Sequence, residues 1–357
     1  MTRQLRARAL AGATLACTFA LANCALATEA TPATALLATS KGDHTLAIVD
    51  PKSDKVIARM PVGPDPHEVI ASTDGRTAYV SNMGGDSSLH RIDVLDLIDQ
   101  RALDPIDTGA LTGTHGLAAS SGKLWFTAQG AMAIARIDLA SRQVDWIMGT
   151  GQVWTHMIDL TSDLHHIFAT NVRSGSVSLF NLQTVPAPPP PPASPPGAPP
   201  PPGAGRSSTT WVQTLVPTES GTEGFDLSPD EHEIWTASSA SGQIYVIDAS
   251  AQKVSQVLDA KIAGANRVRF THDGKRVLVS SLRSGDVVVY DTKSRTEIKR
   301  VHAGNGCSGL LLTPDDKRAY VACTSDNYVA VLDMQNLKPV GHIDVGPRPD
   351  ALAWAVR

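Results

Sequence analysis

The chain has 357 residues, 42% of them hydrophobic and 18% charged, and a formal net charge of −4. That balance is ordinary for a globular protein and gives no sign of a collagen, a coiled coil or a membrane bundle. The acidic excess argues against strong non-specific nucleic-acid binding, which needs a basic surface.

The first predicted element is a targeting segment. Arg3, Arg6 and Arg8 make a basic start, an apolar run follows, and Ala25-Leu26-Ala27 places small residues where a signal peptidase reads. This layout predicts a secretory signal peptide over residues 1–27, a short lead-in over 28–34, and a periplasmic or secreted location. The apolar run is too short to span a bilayer, and no other stretch approaches ~18 uninterrupted apolar residues, so no membrane span is expected. Cleavage would remove three arginines and no acid, moving the formal charge from −4 to −7. Cys17 and Cys24 would leave with the segment, and Cys307 and Cys323 would remain where disulfides persist. No C-x-x-C or C-x-x-C-H occurs, which argues against a zinc knuckle and against covalent haem attachment.

From residue 35 onward one pattern recurs: an apolar strand, a small polar turn, and a second apolar strand closed by an acid or amide. Its seven copies end at Asp50, Asp93, Asp138, Asn181, Asp248, Asp291 and Asp333, with steps of 43, 45, 43, 67, 43 and 42 residues. An inner strand precedes each pair, as in HEVIASTDG and SGLLLTPDD, and an outer strand follows, as in KVIARMPVG. Asp-Gly and Pro-Asp steps supply the tight turns. Four short alternating strands per unit, repeated at a period near 43, predict an all-β, seven-bladed β-propeller over residues 35–357. The first unit lacks its inner strand, whereas DALAWAV, residues 350–356, stands alone at the other end. The ring is therefore expected to close by the C-terminal strand pairing in blade 1, leaving no open edge.

The one long step, in blade 4, contains residues 186–205, with twelve prolines in twenty positions. Such a stretch cannot serve as a strand and favours polyproline II or disorder. It lies between the third and fourth strands of its blade. It reads as a tolerated loop expansion, with a docking arm for a protein or cell-envelope partner as the alternative.

Residues 61–82, PVGPDPHEVIASTDGRTAYVSN, and 308–333, SGLLLTPDDKRAYVACTSDNYVAVLD, resemble the YVTN-type β-propeller repeat of surface-layer and periplasmic bacterial proteins. The resemblance covers residues 35–357 and implies the fold more than the function. Members and neighbours of that family include DNA-binding, haem-handling, lactonase-like and adhesive proteins. The Gly-His and Trp-Asp pairs of WD40 repeats do not recur here.

Aligning the seven inner strands puts one early position of each at the mouth of the central channel. In blade order these are Asp350, His67, His115, His156, Glu223, Asn266 and Ser308. Asp350, His67, His115, His156 and Glu223 are side chains that bind metals or exchange protons, and would suit a divalent ion such as zinc, copper or calcium. Protonated histidines would instead attract an anion, and a ring of polar groups solvated by channel water is the plainest reading. His44, His165, His166, His232, His272 and His302 fall in turns or outer positions. No G-x-S-x-G, H-E-x-x-H or P-loop pattern appears, so no catalytic nucleophile is assigned. Cys307 and Cys323 sit on adjacent strands of blade 7 as a candidate disulfide. The expectation is a monomeric, non-enzymatic exported propeller that binds a small ligand, metal or partner at its mouth. A metal-dependent lactonase-like hydrolase and a periplasmic metal- or cofactor-handling protein are the alternatives.

Overall fold

The computed structural model describes residues 29–186 and 207–357. The predicted signal peptide and nearly all of the Pro-rich insert lie outside these residues. Among the described residues there are seven four-stranded antiparallel sheets and no helix. Each sheet is a blade, and the blades form a closed ring, the seven-bladed β-propeller expected from the repeat.

Blade 1 is built as the orphan strands required. Its inner strand is Pro349–Val356, paired antiparallel to Thr34–Ser40, with Leu36 opposite Trp354 and Ala38 opposite Leu352. The end of the chain is fastened further, since Arg357 donates its amide to the Ala33 carbonyl at 2.9 Å. Thr31 Oγ1 donates to the Leu97 carbonyl at 2.5 Å and ties the lead-in to blade 2.

The core lies between blades. Strand residues alternate faces, so each sheet presents an apolar row to both neighbours. Phe126, Phe168, Phe180, Trp235 and Tyr320 are fully buried in these layers. Blade 4 differs in length. Its third and outer strands, Ser176–Val185 and Ser208–Pro217, form the longest hairpin, and the insert joins their far ends. His166 begins the second strand of that blade, with its ring bonded to Asn181, and is not a free turn residue as the sequence suggested.

One irregularity occurs in all seven blades and positions the site. Between its first and fourth residues each inner strand carries one residue more than its partner. In blade 2, Pro66 pairs with Asn82 but Val69 pairs with Val80. The other six inner strands repeat the shift. Such a β-bulge re-aims the side chains beside it. Ser and Thr hydroxyls of the second strand hold it: the amides of Glu68, Gly116, Met157, Arg267 and Ala351 donate to Ser81, Thr127, Thr170, Ser280 and Thr39 at 2.8–3.1 Å. Three of these hydroxyls also donate onward to the next blade. Thr127 bonds the His156 carbonyl, Thr170 that of Glu223 and Ser280 that of Ser308, at 2.6–2.7 Å. Glycine is required at the third position in blades 3, 5 and 7. A Cβ on Gly116, Gly224 or Gly309 would collide with the carbonyl of His156, Asn266 or Asp350 in the neighbouring blade.

Candidate functional site at the channel mouth

The second residue of every inner strand, just ahead of the bulge, lines one end of the channel. Asp350, His67, His115, His156, Glu223, Asn266 and Ser308 all border a single cavity of about 200 Å³. The structure thus brings together all seven residues aligned from the sequence.

His67, His115 and His156 come from consecutive blades, and their rings form a ladder. Ring centroids are 4.6 Å apart for His67 and His115, and 3.9 Å for His115 and His156. The His156 Nδ1–H donates to the Glu223 carbonyl at 3.3 Å, which leaves its Nε2 with the lone pair. His115 is 1% exposed, and its Nδ1 is buried without a hydrogen-bond partner. Burial and the neighbouring His156, His67, Arg267 and Lys41 hold His115 well below the usual imidazole range. Burial, with Arg267 and His67, takes His156 down to about 3. The His115 and His156 rings are therefore neutral near pH 7.

The carboxylates are already engaged. Asp350 Oδ2 lies 2.5 Å from Lys41 Nζ and 3.5 Å from His67 Nδ1. Burial alone would raise the Asp350 carboxyl, but Lys41, His67 and Arg267 outweigh it and keep the group ionised. Glu223 accepts from Asn266 Nδ2 at 2.9 Å and from Ser239 Oγ at 3.3 Å, and burial raises its carboxyl. Ser308 shares a 2.9 Å hydrogen bond with Thr324. The five residues proposed as a metal set are thus not assembled as one. The imidazole rings lie one above the next at tilts of 45° and 33°, Asp350 is shared between Lys41 and His67, and Glu223 is held by Asn266 and Ser239. Among the described residues no group of three or more His, Cys, Asp or Glu is arranged to hold a metal ion.

Three features of the mouth were missed in the sequence. Lys41 reaches it from a loop of blade 1. Arg267, the third residue of its inner strand, lines the cavity and makes a buried ion pair with Glu68 across the channel. Trp154 borders the mouth with φ +67°, a left-handed conformation unusual for a bulky residue. Its indole nitrogen is buried without a partner, and the Arg173 guanidinium lies 4.5 Å above its ring. Met83 and Trp154 also line a groove of about 470 Å³ outside the mouth, so the two spaces adjoin. Gln129, in the wall of that groove, has an unpartnered buried amide oxygen.

No curated protein matches the chain. The fold is shared by hydrazine synthase of Kuenenia stuttgartiensis, at TM-score 0.64 and 16% identity over 81% of this chain and 89% of that one. A putative 6-phosphogluconolactonase from Bacteroides uniformis gives TM-score 0.70 and 14% identity over 90% and 99%. Dihydro-heme d1 dehydrogenase NirN in complex with DHE gives TM-score 0.60 and 15% identity, over 89% of this chain and 65% of that one. The family model of the cytochrome D1 heme domain matches residues 209–316. That stretch contains Glu223, Asn266, Arg267 and Ser308 but none of the three mouth histidines. The chain is a seven-bladed β-propeller similar, from the outer strand of its fourth blade to the inner strand of its seventh, to the cytochrome D1 heme domain.

Proposed function

We propose that this propeller is an exported cofactor-handling protein that binds a haem-type tetrapyrrole at the histidine mouth without catalysing a reaction on its own. The observation that carries the reading is the neutral imidazole ladder, with an unpartnered His115 Nδ1, in a cavity that also holds Lys41 and Arg267. A neutral imidazole can ligate haem iron, and a bound haem would supply that redox-active metal. His115 or His156 would hold the iron, Met83 and Trp154 would lie against the macrocycle, and Lys41 and Arg173 would meet its carboxylates. The mouth alone is smaller than the ~300–1,000 Å³ of ordinary ligand sites, but it adjoins the larger groove. The partial match to the cytochrome D1 heme domain and the likeness to NirN support the same class.

The YVTN-type kinship, cleavage after Ala27 and a periplasmic or secreted location belong to this proposal. The test is optical titration of purified, cofactor-free protein with ferric haem. A saturable one-to-one shift of the main absorption band is expected. Replacing His67, His115 and His156 together by Ala should weaken binding at least tenfold while the protein stays folded. Equal binding by the triple variant would remove the reading. Metal-dependent hydrolysis of a simple lactone by the parent protein would favour the lactonase-like alternative.

A further inference from the structure

The channel has a second, larger opening. Glu68 and Arg267 pair across the ring with side chains 10% and 5% exposed, and they divide the channel. Arg267 borders the histidine mouth, whereas Glu68 borders a cavity of about 510 Å³ on the opposite face. All seven inner strands contribute to this far cavity through residues beyond the bulge. Its apolar wall includes Leu117, Met157, Phe225 and Trp354, and its polar side holds Asp159, Asp226 and Arg269.

The charges of the far cavity do not balance. Asp226 accepts the Phe270 amide at 2.7 Å and faces Arg269 Nη1 at 3.4 Å. Glu68 is taken by Arg267. Asp159, on blade 4, accepts only the amide of its own neighbour Leu160, at 2.8 Å, and has no cation partner among the described residues. Three carboxyls therefore line the cavity beside one lining cation, Arg269, which Asp226 already occupies.

We propose that the far cavity is a second ligand site, for an organic cation whose ammonium head meets Asp159 and whose apolar body lies against Met157, Phe225 and Trp354. Asp159 is half-buried, and a carboxylate drawn partly out of water beside another acid and without a counter-charge is destabilised, a cost that a ligand bringing the cation relieves. Aromatic faces beside an ammonium add cation–π attraction. The groups facing Asp159 are Asp226 and Arg269 from blades 5 and 6, Glu231 from the blade 5 turn, and the Glu68–Arg267 pair at the floor. Asp163, His165 and His166 flank it on its own blade. Burial, with Asp226, pushes the Asp159 carboxyl up to about 6, so the ionised form that an ammonium needs prevails above that pH. This site shares no lining residue with the histidine mouth.

The probe is 2-phenylethylammonium, with 2-phenylethanol as its uncharged counterpart, titrated calorimetrically into the intact protein at pH 7.5. The ammonium should bind at least tenfold more tightly, the preference should vanish in Asp159→Asn, and it should fade as pH drops below 6. The His67, His115 and His156 triple Ala variant should bind it like the parent, which separates this result from the fate of the haem proposal. No binding, equal affinity for the two probes, or an unchanged preference in Asp159→Asn would each overturn the inference. Should Asp159→Asn fail to fold, the carbon-13 titration of the Asp159 carboxyl serves instead. Saturating ammonium should lower its midpoint, and an unmoved midpoint would refute the site.

Discussion

Glu68 on blade 2 and Arg267 on blade 6 lie 199 residues apart in the chain and form one buried ion pair across the channel. Burial raises the Glu68 carboxyl and the Arg267 guanidinium opposes that rise, so the Glu68 charge depends on Arg267. Removing one partner of such a pair costs about 3–5 kcal/mol, whereas replacing both with apolar groups of similar size is often nearly neutral. Arg267→Met should therefore lower the denaturation midpoint strongly, and Glu68→Leu with Arg267→Met should recover most of the loss. Chemical denaturation of the two variants checks this, and a double variant no more stable than the single one would contradict it.

Stability should fall on acidification below pH 6.5, and the mouth histidines should account for part of the fall. His115 and His156 have depressed folded-state values, so between their unfolded value, about 6.5, and their folded values the unfolded chain binds protons that the native chain refuses. Folding free energy then drops with pH at up to about 1.4 kcal/mol per unit for each ring, and is unaffected above pH 6.5. Asp159 acts in the opposite sense, since its raised value favours the folded state as pH falls from about 6 toward its unfolded value. Urea midpoints measured from pH 7.5 to 4.5 should therefore flatten in His115→Asn with His156→Asn and steepen in Asp159→Asn.

Cys307 and Cys323 stand directly opposite each other in blade 7, fully buried as free thiols, with sulfurs 2.9 Å apart. The shared hydrogen bond and burial raise the Cys307 thiol, so spontaneous oxidation should be slow. Material prepared with an oxidant should nevertheless form the bond, and thiol counting after unfolding without reductant should fall by two. The cross-link should add about 2–4 kcal/mol. An unchanged thiol count after oxidative preparation would reject it.

The hairpin of blade 4 ends at Val185 and Ser208, and alternation of strand direction puts those ends on the face opposite the histidine mouth. Deleting residues 187–204 should leave haem affinity at the mouth unchanged within experimental error, because the strand ends that carry the insert lie on the opposite face. A deletion variant that no longer binds would mean that the insert reaches the mouth.

The repeat made the ring legible because each blade restates one hydrophobic alternation, and the unmatched strands at the two ends required closure in blade 1. The mouth was legible for the same reason: a fixed distance from each turn brought His67, His115 and His156 to equivalent places. The close succession of the three rings follows from their lying on consecutive blades, which the alignment already contained. Arg267 and Glu68 escaped notice because the third position is glycine in three blades, and nothing local links residues in blades 2 and 6. Lys41 and Trp154 lie in loops that the alignment of inner strands did not cover. The Ser or Thr before the end of five of the second strands, Thr39, Ser81, Thr127, Thr170 and Ser280, was visible in the repeats and would have revealed the bulge.

Because hydroxyls and main-chain groups fix the bulge, the identity of the side chain just ahead of it is almost free of folding duties. Each blade thus offers one interchangeable letter at the mouth. Under the binding proposed above, substitution at these seven positions would alter what is recognised while the alphabet's carrier stays intact. The exceptions are blades 3, 5 and 7, where the neighbouring glycine must be kept whatever the letter beside it becomes.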